Sequence, residues 1–364
     1  MTRAITALPL ARTLLLMLAF ACARVHGAQA GSWFDGERPG AQAQSAVALL
    51  QSAAEIGLEP QDYNTGALVQ TMQRLRQAPM VTASERSQLD AALTDAVQRY
   101  LSDLSTGRIA PPASGGNYGP TRRSTIDIGA LLQAALANDG LAPLSQQLEQ
   151  QVPMSARLRE LLARYRALES DRGWDTALPE PAGGKLDAGQ AYAGMPTLVH
   201  RLTVLGDLDG DAALPTVVDT RLTAAIARFQ QRHGLLVDGV MGRNTLAQLA
   251  VTPRQRARQI ALTMERMRWT PLLQAPRMIV VNVPEFVLRA YEIRDDRIAV
   301  RLTMNIIVGK ALDTRTPLFD EDMRFIEFSP NWNVPYSIAS KELVPRLRKE
   351  PDYFTQQGFE FVTD

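Results

Sequence analysis

The chain has 364 residues, a length that accommodates two or three domains at the usual ~100–200 residues each. Its 46% hydrophobic content is that of a globular protein, and its formal net charge of +1 at pH 7 excludes a strong bulk attraction to nucleic acid. It contains no phosphate-binding glycine loop, dinucleotide fingerprint or His-Glu-x-x-His zinc spacing, so we expect neither a metal nor an organic cofactor.

The first 30 residues are predicted to form a secretory signal peptide. Two arginines precede an apolar run at 14–23, and Ala28-Gln29-Ala30 then supplies an Ala-x-Ala cleavage site before Gly31. The run is too short to span a membrane, which takes about 20 residues, and no later stretch qualifies. We therefore expect a periplasmic protein with no stable membrane span. The alternatives are an uncleaved anchor and a lipoprotein acylated at Cys22, whose preceding Ala-Phe-Ala fits an acylation box poorly.

Residues 31–170 are predicted to form a helical domain. An apolar stripe runs through residues 49–58 and ends at Gly57, as many helices do. Residues 84–104 continue at helical spacing and place on one face Leu89, Leu93, Val97, Tyr100, Leu101 and Leu104. Further helices are predicted at Ile126–Ala137, Ala142–Gln150 and Ser155–Leu168, and the glycine-rich stretch 113–120 is predicted to be a loop. With no polar constellation inside it, this domain is interpreted as a scaffold.

A linker and a compact three-helix domain are predicted next. The glycines and prolines of residues 171–195 leave no stable periodicity, which is typical of a linker. The three-helix domain covers residues 196–252. Its helices are expected at 198–205, at 219–234 with Asp219 or Thr220 as N-terminal cap, and at 246–250 with Asn244-Thr245 as cap.

The second of these helices leads into a motif that continues to the end of the domain. The motif consists of Phe229-Gln230, Gly234-Leu235, Asp238-Gly239, Gly242, Thr245 and Leu249. These residues can either make the fold or contact a ligand, and the first interpretation is favoured. The three glycines are expected to adopt backbone conformations that other residues resist, and Asp238 is expected to accept amide hydrogen bonds in its turn.

Residues 253–364 are predicted to begin with a helix and to continue as strands. In the helix, at 254–269, Ile260, Met264 and Met267 are expected to face inward. Its arginines can face glycan or phospholipid, although alternating charges usually mark a solvated face. Alternating apolar and polar residues then predict strands. These lie within 278–284, 286–291 and 298–309, with a turn at Thr316-Pro317 and a helix over 341–349.

Three stretches of the helical region resemble the scaffold domain of the large YcbB-type L,D-transpeptidases. They are 54–63, 94–111 and 161–168. The motif from Phe229 to Leu249 resembles a peptidoglycan-binding-like domain, and residues 265–269 and 277–338 resemble the first half of a YkuD-type catalytic domain. The resemblance implies a multidomain α+β protein with a helical scaffold domain, a three-helix peptidoglycan-binding-like domain and an incomplete β-rich catalytic domain.

The resemblance also implies an enzyme of cell-wall biogenesis that forms 3→3 crosslinks in peptidoglycan. In such an enzyme a cysteine thiolate attacks the amide after the third stem-peptide residue, and an amine of a second stem peptide resolves the thioester. The only cysteine here is Cys22, and His26, His200 and His233 all precede the strands. We therefore expect the family's Ser-His-Gly-Cys motif beyond Asp364, and we expect residues 1–364 alone to be inactive.

For contact with substrate, the resemblance implies Trp332, Asn333, Pro335 and Ser337, because this stretch lies beside the catalytic groove in the family. The alternative is that Trp332 anchors packing and the prolines shape a turn. The expected partners are peptidoglycan stem peptides and glycan. The rival function is a non-enzymatic wall-binding or scaffold protein, a natural truncation, and the coding sequence past codon 364 separates the two.

Overall fold

The computed structural model describes residues 32–109, 126–150, 154–210, 213–269, 275–294, 297–310, 315–319 and 321–361. The chain divides into two compact units, Met1–Pro317 and Leu318–Asp364. The predicted α+β class is confirmed, since helices dominate both units and one small sheet follows the main helical part. The predicted signal peptide and the loop at 113–120 lie outside the described residues.

Six helices build the first hydrophobic core. A short hairpin of β1 (Phe34–Asp35) and β2 (Arg38–Pro39) precedes them in the chain. The helices are α1 (Ala41–Ser52), α2 (Thr65–Gln77), α3 (Ala83–Thr106), α4 (Ile128–Ala137), α5 (Leu141–Gln150) and α6 (Ser155–Ala167). All six apolar residues predicted for one face of α3 are buried, which confirms the helical spacing. A capping box fixes its start, because Thr82 and Glu85 each accept a hydrogen bond from the other's backbone amide.

Three helices build the second core: α7 (Met195–Val204), α8 (Thr220–Arg232) and α9 (Arg243–Ala250). Asp219 caps α8 as predicted, its Oδ1 accepting a 2.7 Å hydrogen bond from the Leu222 amide. The cap predicted for α9 is wrong. This helix already begins at Arg243, after Gly242, so that Asn244-Thr245 lies inside it.

The segment predicted as a linker, residues 171–195, packs along this second core. Leu178, Leu186 and Tyr192 are buried in the same cluster as the three helices. The Tyr192 hydroxyl donates a 2.6 Å hydrogen bond to the Pro179 carbonyl, and Leu186 forms an isolated bridge with Met241. Single contacts of this kind hold an irregular backbone without giving it the periodicity that sequence patterns detect.

Helix α10 (Pro253–Trp269) packs against α3 and α6 and completes the first core. Met264 is buried there and Ile260 and Met267 are partly buried, so the predicted inward face is confirmed. Helix α10 therefore packs against helices that lie about a hundred residues or more earlier in the chain. In sequence, the residues of the second core lie between those helices and α10.

A buried carboxylate holds α10 to the end of α3. Glu265 Oε1 accepts backbone hydrogen bonds from Arg108 at 2.6 Å and from Ile109 at 3.0 Å. Arg268 donates to Glu265 Oε2 at 3.3 Å and to the Ile56 carbonyl at 2.5 Å, and both Glu265 and Arg268 are 2% exposed. The Gly-Arg-Ile sequence after α3, which helical periodicity does not require, thus presents two amides to one carboxylate.

The strands form an antiparallel meander of β3 (Arg277–Asn282), β4 (Val287–Arg294) and β5 (Arg297–Asn305). Ile279 pairs with Ala290, and Ala290 pairs with Leu302, so these three side chains share one face. A register shift follows between Ala290 and Tyr291. The described residues of 328–338 contain bends and the start of a helix.

The second unit carries short helical turns. They are α11 (Tyr336–Ile338), a π-helical turn at Ala339–Leu343, α12 (Val344–Lys349) and α13 (Tyr353–Gln357). Helix α13 ends at Gly358, whose φ of +71° is a left-handed value suited to glycine. The Phe359 amide then donates to the Phe354 carbonyl at 2.8 Å, which brings the two rings to a centroid separation of 5.3 Å.

Candidate functional site

The four residues predicted to contact substrate lie at the surface of the second unit. Trp332 is 61% exposed, and its ring lies 6.2 Å from that of Phe359. The Pro335 carbonyl accepts the first hydrogen bonds of α11, so this proline shapes a helix start. The exposed side chains of Asn333 and Ser337 make no hydrogen bond within the part of the chain that the structure describes. Their contact with a stem peptide stays a prediction.

The motif in the second core is organised by the side chain of Gln230, which is 1% exposed. Its Nε2 donates to Asp238 Oδ1 at 2.8 Å, to the Val240 carbonyl at 2.9 Å and to Thr245 Oγ1 at 3.2 Å. Its Oε1 accepts from the amides of Asp238 at 3.1 Å and Gly239 at 2.8 Å. The side-chain amide group of Gln230 thereby fixes both the turn and the first residues of α9. This supports the fold-making interpretation of the motif.

The turn lowers the pKa of Asp238 and requires a glycine at position 239. The backbone amide of Val240 and then the Gln230 side chain stabilise the Asp238 anion, and its pKa lies below the usual range. Gly239 has a φ of +70°, and a Cβ there would lie 2.6 Å from Thr223 Cγ2. The prediction for Gly242 is wrong, because its φ of −85° and ψ of −175° are open to any residue.

This turn also exposes two apolar side chains to solvent. Leu236 is 78% exposed and Val237 is 54% exposed, directly before the residues that Gln230 holds. A pair of exposed apolar side chains on a fixed backbone is a ready contact surface for a partner. This pair was not predicted to contact a partner, although two apolar residues between Gly234 and Asp238 are a usable signal, since turns are usually polar.

No serine, threonine or cysteine side chain forms a hydrogen bond with either histidine of the described residues. His233 lies at the end of α8 as predicted, where its Nδ1 donates to the Phe229 carbonyl at 2.8 Å and its ring stacks on Phe229. Burial lowers the pKa of His233. His200 Nε2 lies 2.8 Å from Asp171 Oδ1. The described residues hold no cluster of three or more histidine, cysteine or acidic side chains that could bind a metal.

Arg201 fixes the irregular segment to the second core. It is 2% exposed, and its guanidinium donates to the carbonyls of Gly173 at 3.0 Å, Thr176 at 2.7 Å and Leu249 at 2.9 Å. The same group lies 5.3 Å from the centre of the Trp174 ring. Each of the three guanidinium nitrogens donates to a backbone carbonyl, so this buried charge fixes the backbone and offers little to a ligand.

Helix α6 joins the two cores. Tyr165 packs against both of them, and Arg164 donates to the Leu205 carbonyl at 2.6 Å. Glu169, just past the end of α6, forms a 3.4 Å ion pair with Arg254 of α10. A ligand held at the second core is therefore held in fixed relation to the first. Across the described residues, no helix is both long and apolar enough to cross a bilayer.

Two family models match the chain, one on each core. The model described as "Scaffold domain" matches residues 28–162, and the model described as "Putative peptidoglycan binding domain" matches residues 193–249. A protein of Haemophilus influenzae (strain ATCC 51907 / DSM 11121 / KW20 / Rd), described as "Putative L,D-transpeptidase", is 26% identical over 104 residues. The match covers 29% of this chain and 20% of that relative, so the chain matches about a fifth of the relative's length.

Proposed function

With a scaffold domain followed by a peptidoglycan-binding domain, this chain is a relative of the YcbB-type L,D-transpeptidases, and we propose that it acts in cell-wall biogenesis as a peptidoglycan L,D-transpeptidase. One observation carries the proposal: the two matched domains occur in this order, and contacts made by α6 and α10 join their two cores. Such a joint holds peptidoglycan, bound at one core, at a set distance from the other.

The proposed reaction is acyl transfer through a cysteine thioester, which yields a 3→3 crosslink once the amine of a second stem peptide attacks. It needs a thiolate, a base such as histidine and amide donors for the tetrahedral oxyanion. Residues 31–364 contain no cysteine, so they do not supply the thiolate. The part that we assign to them is to bind peptidoglycan and to position it.

Binding is assigned first to the turn that exposes Leu236 and Val237, and second to Trp332, Asn333, Pro335 and Ser337 on the other unit. A sacculus pull-down tests the turn. Leu236→Ser combined with Val237→Ser should lower the fraction of chain retained on purified sacculi. Met80→Ser, at a 73% exposed position between α2 and α3, is the matched control and should leave retention unchanged. Equal retention of both variants would contradict the assignment.

The chemical assignment has its own test. Residues 31–364, incubated with tetrapeptide muropeptides, should give no 3→3 dimers, and a carbapenem should leave no covalent adduct by mass spectrometry. Either product would show that a nucleophile other than cysteine operates in these residues.

A second candidate is a non-enzymatic wall-binding or scaffold protein, a role that the two matched domains could fill by themselves. Deletion of the gene in its own bacterium separates the two. Loss of 3→3 crosslinked muropeptides supports the enzyme, whereas an unchanged muropeptide profile supports the binding protein.

We also propose export to the periplasm with cleavage after Ala30, on the charged start, short apolar run and Ala-x-Ala site of the first 30 residues. N-terminal sequencing of the secreted protein should begin at Gly31. A mature protein that begins at a lipid-modified Cys22 would overturn this proposal.

A further inference from the structure

One face of α10 carries a row of exposed basic residues. Every fourth residue along this face is exposed, and three of these four residues are arginines: Arg254, Arg258, Leu262 and Arg266. Four residues advance about 6 Å along a helix, so the row extends over roughly 18 Å. We call these four residues the basic row.

The basic row is held outward by the opposite face of the helix. Ala257 and Met264 are buried in the first core, and Glu265 is fixed inward by the amides that follow α3. The only acidic residue of α10 is therefore withdrawn from the surface that the arginines share. A helix locked in this way cannot rotate its charges toward the protein.

The charge of the row is only partly offset. Arg254 is 68% exposed and pairs with Glu169 at 3.4 Å, and Arg266 also has an interaction partner. Arg258 has no acidic partner within 4.0 Å in the described ranges of the chain. An exposed guanidinium of this kind is suited to paired hydrogen bonding with a carboxylate.

We propose that the basic row is a second contact surface for peptidoglycan, which binds the free carboxylates of stem peptides. This inference rests on the proposed function and extends it to a named surface. The row adjoins the matched peptidoglycan-binding domain, since that match ends at residue 249 and α10 begins at Pro253. Arg256 seats the first turn of α10 on α9 by donating to the Gln248 carbonyl at 3.1 Å and to its Oε1 at 2.6 Å.

The composition of the row favours peptidoglycan over a lipid surface. A helix that lies on a membrane inserts a broad apolar face between lipid headgroups. Here the apolar face of α10 is buried in protein, and Leu262, 53% exposed, is the one large apolar side chain in the row. Spaced charges without an insertable face fit a hydrated polymer that bears carboxylates.

The test compares two triple variants of the full chain that lose the same charge. Arg254→Gln, Arg258→Gln and Arg266→Gln together should weaken retention on purified sacculi about tenfold at low salt, and less as salt rises. Arg76→Gln, Arg86→Gln and Arg157→Gln, all at exposed positions on the first core, form the matched control and should leave retention unchanged. Thermal unfolding confirms that both variants fold, and the single reversal Arg258→Glu gives a second measurement with minimal change.

Chemical amidation of the sacculus carboxylates should reduce retention of the unaltered chain to that of the basic-row variant. Equal retention of the two triple variants overturns the inference while leaving the proposed function intact. No retention of the unaltered chain defeats both. A basic-row variant that keeps its sacculus binding but loses binding to phosphatidylglycerol vesicles would assign the row to a membrane and overturn the inference.

Discussion

The helical residues 32–269 and the strands of residues 277–305 carry equally regular apolar patterns, but they bury them to different extents. In the helical part, residues such as Leu50, Leu93 and Phe229 are at most 1% exposed. In the strands, Ile279 remains 49% exposed and Leu302 remains 51% exposed, and no strand residue of the described meander belongs to either core.

The difference teaches that periodicity predicts which face is apolar but not whether something covers it. Each helix of the first core packs against another helix, so its stripe is buried. In the meander, Ile279, Ala290 and Leu302 form a row across all three strands, and none of the three belongs to either core of the described residues. Exposed rows and sheet edges of this kind favour association with other chains.

The largest expected effect is on protease resistance. Because local opening costs least where few apolar contacts are buried, cleavage after Trp269 should be at least about tenfold faster than cleavage within the helical part. Limited proteolysis followed by mass spectrometry should leave a stable helical core. Comparable protease resistance on both sides of Trp269 would show that the meander is as stable as the two cores. It would contradict the proposed difference in stability between the helices and the strands.

A matched pair of leucine substitutions measures the same difference in free energy. Leu93→Ala, in the first core at 0% exposure, should lower the free energy of unfolding by about 2–5 kcal/mol. Leu302→Ala, in β5 at 51% exposure, should lower it by about 1 kcal/mol or less. Urea denaturation checks both values. A cost at Leu302 equal to that at Leu93 would mean that the sheet face is covered in solution.

Gln230 tests how far the second core depends on a single polar side chain. Gln230→Ala leaves the buried amide of Gly239 and the amide of Asp238 without their acceptor, so it should cost about 3 kcal/mol. Gln231→Ala, one position along α8 and exposed, is the control and should change stability by no more than about 0.5 kcal/mol. Similar unfolding midpoints for the two variants would remove Gln230 from its central role.

The smallest expected effect concerns Asp238 and acid. Because the folded state lowers the pKa of this carboxyl, its stabilisation is present above the unfolded pKa of about 3.9 and is lost as pH falls through the folded value. Asp238→Asn keeps an acceptor oxygen but removes the charge. It should cost about 0.5 kcal/mol at pH 7, since water screens an exposed carboxylate, and nothing at pH 2. Asp90→Asn is the control, and a pH-independent cost at Asp238 would contradict the argument.

Much of the fold followed from local patterns. The faces of α3 and α10 and the cap of α8 could be predicted, because hydrophobic spacing and capping act within a few residues. Helix α2 lies in the region predicted to be helical, but its bounds were not predicted, although Leu68, Met72 and Leu75 lie at helical spacing. The packing of residues 171–195 was missed because it has no period. The three stretches predicted to be strands all formed.

The candidate site was less predictable because its contacts depend on tertiary structure. Gln230 stood out in the sequence, but its five hydrogen bonds to four residues form only once the turn has brought residues 238–245 against α8. The basic row was visible as alternating charge, yet its outward orientation depends on Glu265 being held inward. The role of Trp332 and its neighbours still rests on resemblance.

The bond between Glu265 and the Arg108 amide has a consequence for the order in which the protein is made. The two residues are 157 positions apart, and the residues of the second core lie between them. At ~5–20 residues per second, a ribosome takes roughly 10–30 s to add that stretch. During this interval the second core can fold, whereas the first core stays incomplete until α10 has been synthesised. The first core is therefore discontinuous in sequence, and the second is inserted within it.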